Sequence, residues 1–348
     1  MLVALLAGAV TLQPQATDHS AGWFPSYTSE QQVSGVIRIW GHGSRQKEFV
    51  GALVKSWEEG FRKHQPGIRF DTQLLGNSSA MGGLYTGATD IALLGREILP
   101  TEVDGYQQAL GYQPFAVSVM TSGLDARNRD FALAILVHKE NPLAHITLAQ
   151  LDAIFGADGR RSAAKGADIH TWGELGLSGD WADKEIQLYG LDIASDFSQF
   201  LQGRVMAGSR KWNCKLHEFH DVKAPPSSDS RMVEAGQRIL NALAEDRYGI
   251  AFSGAGYKHP RTKPLALAQS EDGPFYEASR ETVSERTYPL ARPVSIFVNR
   301  GHGQPIDPKV KEFLSYLLSR EGQQAVLRES GYVPLTPDLA QGERRKIQ

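Results

Sequence analysis

The sequence predicts an α/β protein large enough for two lobes. At 348 residues the chain exceeds one typical compact domain and suits two of ordinary size. Its opening third alternates strand and helix, the pattern of a sheet covered by helices. Two Gly/Ser turns in that third each follow a strand and precede a helix. Such turns lie near one another at the carboxyl ends of the strands, where ligands bind.

The first of these turns follows the strand Val33–Trp40 and reads Gly41-His42-Gly43-Ser44-Arg45. Phe49, Val50, Leu53, Val54, Trp57 and Phe61 then recur at helical spacing. Pro66-Gly67 turns the chain into a strand that begins at Ile68. The rest is organised around Thr72–Ile98, TQLLGNSSAMGGLYTGATDIALLGREI. Leu74-Leu75 ends a strand, and Gly76, Asn77, Ser78 and Ser79 are turn and N-cap residues. A helical segment through Leu84 and Tyr85 is weakened by Gly82, Gly83 and Gly87, and Ile91–Leu94 is the next apolar run. Free backbone N–H groups beside hydroxyls make an anion cradle. A plain helix capped by Ser78 fits the same residues. An exposed helix dipole contributes only ~0.3–1 kcal/mol, so an anion site here needs other donors converging on it.

Phe115–Met120 and Phe131–Val137 are β-rich, Leu148–Phe155 is a short helix, and Ile186–Tyr189 is a strand. A helix runs from Phe197 to about Val205, and Arg231–Asp246 is an amphipathic helix before the strand Tyr248–Phe252. Val294–Val298 is a strand, Pro308–Leu318 and Glu321–Arg328 are helices, and Gly331–Leu335 is a terminal loop or strand. Arg344-Arg345-Lys346 reads as part of a polar tail.

A hydrophobic content of 41%, a charged content of 22% and a net charge of −2 are those of a soluble globular protein and exclude a general nucleic-acid or membrane-surface binder. One cysteine, Cys214, leaves no internal disulfide framework. Met1–Val10, MLVALLAGAV, is too short to span a bilayer and looks like the apolar part of a secretory signal, without a basic residue before it. Either the true start lies upstream or the segment is a buried strand or helix. Export is the expectation.

In order and spacing, the local motifs resemble the phosphate-type substrate-binding proteins of bacterial ABC transporters, a type II periplasmic-binding-protein fold. The pieces are Gly43-Ser44, Gly76-Asn77-Ser78-Ser79, Asp90-Ile91-Ala92, Val137-His138-Lys139-Glu140-Asn141-Pro142 and Leu151-Asp152-Ala153-Ile154-Phe155-Gly156. They continue with Trp172-Gly173-Glu174-Leu175-Gly176, Tyr288-Pro289-Leu290-Ala291-Arg292-Pro293, Phe313-Leu314-Ser315-Tyr316, Ser319-Arg320-Glu321-Gly322-Gln323 and Gly331-Tyr332-Val333-Pro334-Leu335. The resemblance implies two α/β lobes, each a mixed sheet flanked by helices, with a ligand cleft between them. The expected layout is a signal-like segment and linker at 1–32, the first part of lobe 1 at 33–125, lobe 2 at 126–289, and a return to lobe 1 with the tail at 290–340. It further implies a monomer that hands phosphate or a similar small anion to an ABC permease in the inner membrane, with no cofactor and no nucleic acid.

The resemblance also implies site residues, and there the match departs from the family. Ser78 matches a binding serine, but Arg45 occupies the position of a binding threonine. The family's Asp position, five residues after Asp90, falls on Gly95, and its Arg position, two before Asp192, falls on Gly190. Ser-Gly-Thr becomes Ala194-Ser195-Asp196, losing two hydroxyls and gaining a carboxylate. The expected contacts are therefore Gly43, Ser44, Arg45, Asn77, Ser78 and Arg96 from one lobe, with Asp192, Ser195 and Asp196 from the other. Two readings stay open. In one, Arg45, with Arg96, supplies the missing cation, and Asp192 or Asp196 accepts the proton of a hydrogen phosphate. In the other, the pocket is rebuilt for a different oxyanion, an organic acid or a zwitterion, or the fold serves as a sensor or scaffold. For Arg45 an exposed helix-start arginine is the plain alternative, and for Arg96 a surface salt bridge with Glu97 or Glu102.

Cys214, His217 and His220 form C-x-x-H-x-x-H, but three-residue steps drift around a helix, and no metal is expected. His42 and His302 sit between glycines, as in a flexible loop. Neither G-x-S-x-G nor G-x-x-x-x-G-K-[S/T] occurs, so no catalysis is expected.

Overall fold

A computed structural model describes residues 24–43, 48–124, 131–161, 168–224, 232–329 and 331–348. Met1–Val10, Ser44 and Arg45, about which expectations were formed, lie outside the described residues. The strands are β1 (Ser34–Gly41), β2 (Gly67–Gln73), β3 (Ile91–Leu94), β4 (Phe115–Thr121), β5 (Leu133–His138), β6 (His145–Thr147) and β7 (Gln187–Leu191). They continue with β8 (Leu216–Phe219), β9 (Val222–Lys223), β10 (Met232–Val233), β11 (Gly249–Gly254), β12 (Thr262–Pro264), β13 (Ala266–Ala268) and β14 (Pro293–Val298). The helices are α1 (Glu48–Arg62), α2 (Asn77–Tyr85), α3 (Pro100–Leu110), α4 (Leu148–Phe155) and α5 (Asp196–Arg204). After them come α6 (Ala235–Glu245), α7 (Arg280–Ser284), α8 (Pro308–Leu317), α9 (Arg320–Glu329) and α10 (Pro337–Ile347).

Two five-stranded mixed sheets form the framework of two α/β lobes. The first has the order β2-β1-β3-β14-β4, with β1 parallel to both neighbours and β14 antiparallel to both of its own. The second has the order β12-β5-β11-β7-β8, with β11 antiparallel to β5 and parallel to β7. The chain thus leaves the first sheet after β4, builds the second, and returns through β14.

Strand periodicity explains why the first sheet is covered on both faces. Ile91 and Leu93 of β3 enter one apolar cluster, with Val294, Ile296 and Val298 of β14, whereas Ala92, Leu94 and Phe297 enter another on the opposite side. The larger cluster takes the apolar face of α1 (Val50, Leu53, Val54, Trp57, Phe61) and residues near both described ends, Phe24, Tyr27, Ala340 and Ile347. The smaller lies under α2 and α3. The second sheet has its own core, in which every residue of β5 is buried.

Three local expectations are corrected. The polar tail is α10, capped by Thr336 and started by Pro337, with Ala340 and Ile347 buried and Glu343 accepting from the Ser118 N–H. The amphipathic helix begins at Ala235 because Met232-Val233 pairs as a strand with Val222-Lys223. α3 was not anticipated: among its residues only Tyr106 is buried, too sparse for an apolar stripe.

The start of the Asp90–Leu94 segment is pinned to β1 by charge. The Asp90 carboxylate accepts from the Arg38 backbone N–H (2.8 Å) and from its guanidinium (2.7 Å). Burial alone would raise the Asp90 pKa, but these hydrogen bonds and Lys309 bring it below the ordinary carboxylate value. A depressed pKa contributes stability above the unfolded value of about 3.9 and loses it as pH falls through the folded value. Asp90→Asn should therefore lower unfolding free energy at neutral pH by about 1 kcal/mol, Arg38 being partly solvated. In urea titrations the gap to wild type should close as pH drops below about 4.

Candidate functional site

Asn77, after β2, and Arg96, after β3, meet Asp196 in the first turn of α5 from the other lobe. The helix that follows β2 starts at Asn77, not after a Ser78 cap. Its N-cap is Gly76, at φ 129°, and no side chain caps the first turn. Ser79 donates back to the Gly76 carbonyl (2.8 Å), and Ser78 is exposed. The first-turn N–H groups of α2 therefore remain available to an acceptor. Asn77 is held in place: its Oδ1 accepts from the Gly95 N–H (3.0 Å) and its Nδ2 donates to Asp196 Oδ2 across the junction (3.2 Å). Gly43, at φ 152°, ends the described part of the neighbouring turn.

Arg96 is not a surface residue. It is 3% exposed, grips both Glu102 oxygens (2.8 and 2.7 Å), and donates to the Glu97 carbonyl (2.8 Å). Its Nε lies 3.2 Å from Asp196 Oδ1. Burial alone would lower its pKa, but Glu102, Asp196 and Glu97 raise it, so the guanidinium stays charged. Asp196, the first residue of α5, thus places each carboxylate oxygen on a first-lobe donor. Ser195 caps the same helix, accepting from the Ser198 N–H (3.2 Å). Asp192 accepts from the Ala194 N–H (2.9 Å) and is paired with His220 Nδ1 (3.1 Å).

Arg292, part of the Tyr288–Pro293 motif, belongs at this junction. It is 2% exposed and sits immediately before β14. Its guanidinium carbon lies 4.6 Å from the ring centre of Phe197 and 5.2 Å from that of Phe200, both on α5. Nη2 reaches only the Gly95 carbonyl (3.4 Å) and Glu97 Oε2 (3.6 Å), and Nε and Nη1 have no hydrogen-bond partner among the described residues. A buried cation with two unmet donors is the strongest signal of an acceptor site in the described chain. The only sequence cue was an arginine between an apolar run and a proline.

Space, not only chemistry, separates this site from the family pattern. A Cβ at Gly95 would run into the His42 ring, and one at Gly190 into the Phe252 ring. His42, expected in a flexible loop, is buried and hydrogen-bonded to the Tyr332 hydroxyl (2.7 Å) and Leu93 carbonyl (3.3 Å). Neither an Asp at 95 nor an Arg at 190 fits these surroundings.

Next to Ser195 a cavity of about 360 Å³ opens in the second lobe, lined by Phe131, Phe197, Phe219 and Tyr257, with Asp192, His220 and Asp221 among its polar groups. The C-x-x-H-x-x-H residues disperse: Cys214 is exposed, His217 stacks on Tyr189, and His220 pairs with Asp192. Among the described residues no three His, Cys, Asp or Glu side chains group to hold a metal ion, and no helix is long and apolar enough to cross a membrane.

Two mixed-sheet lobes with a polar junction between them define a two-lobed substrate-binding protein. Residues 28–321 match the PBP superfamily domain, and the chain belongs to that superfamily. The phosphate-binding protein PstS of Pseudomonas aeruginosa is 32% identical over 317 residues, covering 91% of this chain and 88% of that protein. Protein SphX of Synechococcus elongatus is 25% identical over 290 residues, covering 82% and 75%. The crystal structure of PstS from Borrelia burgdorferi matches the fold with a TM-score of 0.57 at 15% identity, covering 87% of this chain and 100% of that one. An ABC-type phosphate transport receptor from Vibrio cholerae matches at 0.53 and 18% identity, covering 85% and 99%.

Restoring the family carboxylate should fail. Gly95→Asp is expected to destabilise the protein by about 1–3 kcal/mol through overpacking against His42. Chemical denaturation would measure the loss, and an unchanged midpoint would mean that the His42 ring yields freely.

Proposed function

We propose that the chain is an exported, monomeric solute-binding protein that captures phosphate or a related oxyanion between its lobes and passes it, chemically unchanged, to an ABC permease in the inner membrane. The observation that carries this reading is Arg292, a buried guanidinium with unmet donors beside the carbonyl of Gly95, the residue whose N–H anchors Asn77. The uncapped first turn of α2 adds backbone donors on the same side. The names of the relatives, phosphate-binding protein and phosphate transport receptor, support the same solute class and the same kind of partner.

In this reading one lobe comprises 33–125 with 290–340 and the other 126–289, and the periplasm is the working compartment. Gly43, Asn77 and Ser78 join Arg292 on the first wall, and Ser44 and Arg45 are proposed as further contacts. Arg96 acts mainly by holding Glu102 and orienting Asp196, because its donors are already engaged. Ser195, Asp192 and Asp196 stand on the second wall. Parting of the lobes would lift Phe197 and Phe200 from Arg292 and bare its N–H groups to the solute, and closure would remove water and strengthen each bond to charge.

Calorimetry with phosphate, arsenate, sulfate and molybdate tests the reading. Arg292→Gln and Arg45→Ala should each weaken the bound oxyanion at least tenfold, since a hydrogen bond to a charged group contributes about 1.5–3 kcal/mol. Heat from none of the anions would overturn the assignment. Unchanged affinity in either variant would remove that arginine from the site.

A further inference from the structure

We infer that the solute is a zwitterion, carrying an oxyanion head for the first-lobe wall and, a few bonds away, an ammonium group for the acid-bearing aromatic cavity of the second lobe. This rests on the oxyanion reading above and narrows it to a chemical class.

Charge balance makes the first argument. The described junction and cavity hold two guanidiniums, Arg96 and Arg292, against the carboxylates of Glu97, Glu102, Asp192, Asp196 and Asp221. Arg96 is already matched by Glu102, and even with Arg45 counted as a contact five carboxylates stand against three guanidiniums, so a bare dianion adds negative charge where negative charge is in excess. A solute that brings its own ammonium does not. Where the family has hydroxyl donors for an anion, this chain has Ala194-Ser195-Asp196, and a carboxylate is a partner for a cation.

The cavity makes the second argument. At about 360 Å³ it is far larger than an inorganic oxyanion requires, and much of its lining is aromatic or aliphatic, with Phe131, Phe219, Tyr257 and Leu191. Such a wall takes methylene or methyl groups but offers nothing to a fully hydrated ion. Asp192 stands in that lining, and each of its oxygens retains lone-pair capacity beyond the bonds from Ala194 and His220. An apolar surface carrying a carboxylate suits an alkylammonium group.

Position makes the third. Ser195 lines the cavity, and Asp196, the next residue, is the one that bonds Asn77 and Arg96. Phe197 lines the cavity and also lies under Arg292. Cavity and oxyanion wall therefore share the first turn of one helix, and a short molecule reaches both.

Calorimetry at fixed ionic strength and neutral pH, with 2-aminoethylphosphonate, ethylphosphonate and inorganic phosphate, separates the possibilities. The aminophosphonate should bind at least tenfold more tightly than either of the others, and Asp192→Asn should narrow its advantage over ethylphosphonate severalfold. Ethylphosphonate or phosphate binding as tightly as the aminophosphonate would overturn the zwitterion and leave the oxyanion reading standing. Heat from none of the three would overturn both. The wild-type comparison of the three solutes needs no variant, so the inference is tested even if Asp192→Asn folds poorly.

Discussion

Arg292 is where the two lobes depend on each other. It leaves the chain just ahead of β14, in the first sheet, and its charge is covered by two phenylalanines of α5, which belongs to the second. Stacking over aromatic rings returns about 0.5–2 kcal/mol to a cation. Leaving buried donors unmet costs about 1–3 kcal/mol, and more when the group is charged. With two rings against two unmet donors the ranges overlap, the cost of the donors being the larger. A closed junction balanced in this way is neither locked nor excluded, which is the condition under which a bound solute can decide the conformation.

Asp196 tilts that balance toward closure. It has no such role within its own lobe: its carboxylate lies on Asn77 and Arg96, both in the other lobe, and it is about half exposed. Pairs of that exposure contribute about 1 kcal/mol or less. In the proposed reading the carboxylate stands where an oxyanion would take the same Asn77 donor. Glu102 reinforces the Asp196 bridge. By binding both terminal nitrogens of Arg96 it fixes the one remaining donor, Nε, in line with Asp196.

Much of the fold was legible because it is written in period. The apolar face of α1, the apolar run of β3 and the strand β14 all appear in the structure near where the sequence placed them. What failed was governed by contacts distant in sequence. α10 looked like a tail because its last turn is basic, and the partners that order it, such as Ser118, lie far back in the chain. α3 had too few apolar positions to declare itself. The site was legible in outline only. Asn77, Arg96 and Asp196 were named, and they do meet. Arg292 was missed because burial without a partner is a property of the folded surroundings. The reason for glycine at 95 and 190 was likewise hidden, since the rings that fill those spaces come from His42 and Phe252.

The Asp196 bridge has a kinetic consequence. While it stands the lobes are joined and Phe197 and Phe200 cover Arg292, so in the proposed reading a solute would reach that guanidinium only after the bridge breaks. The observed association rate would then rise with solute concentration only until it reaches the frequency of spontaneous parting. Beyond that point, adding more solute would not speed capture. The apparent dissociation constant would also exceed the intrinsic one by the reciprocal of the parted fraction. The same contact that joins the two lobes would therefore set the tempo of capture.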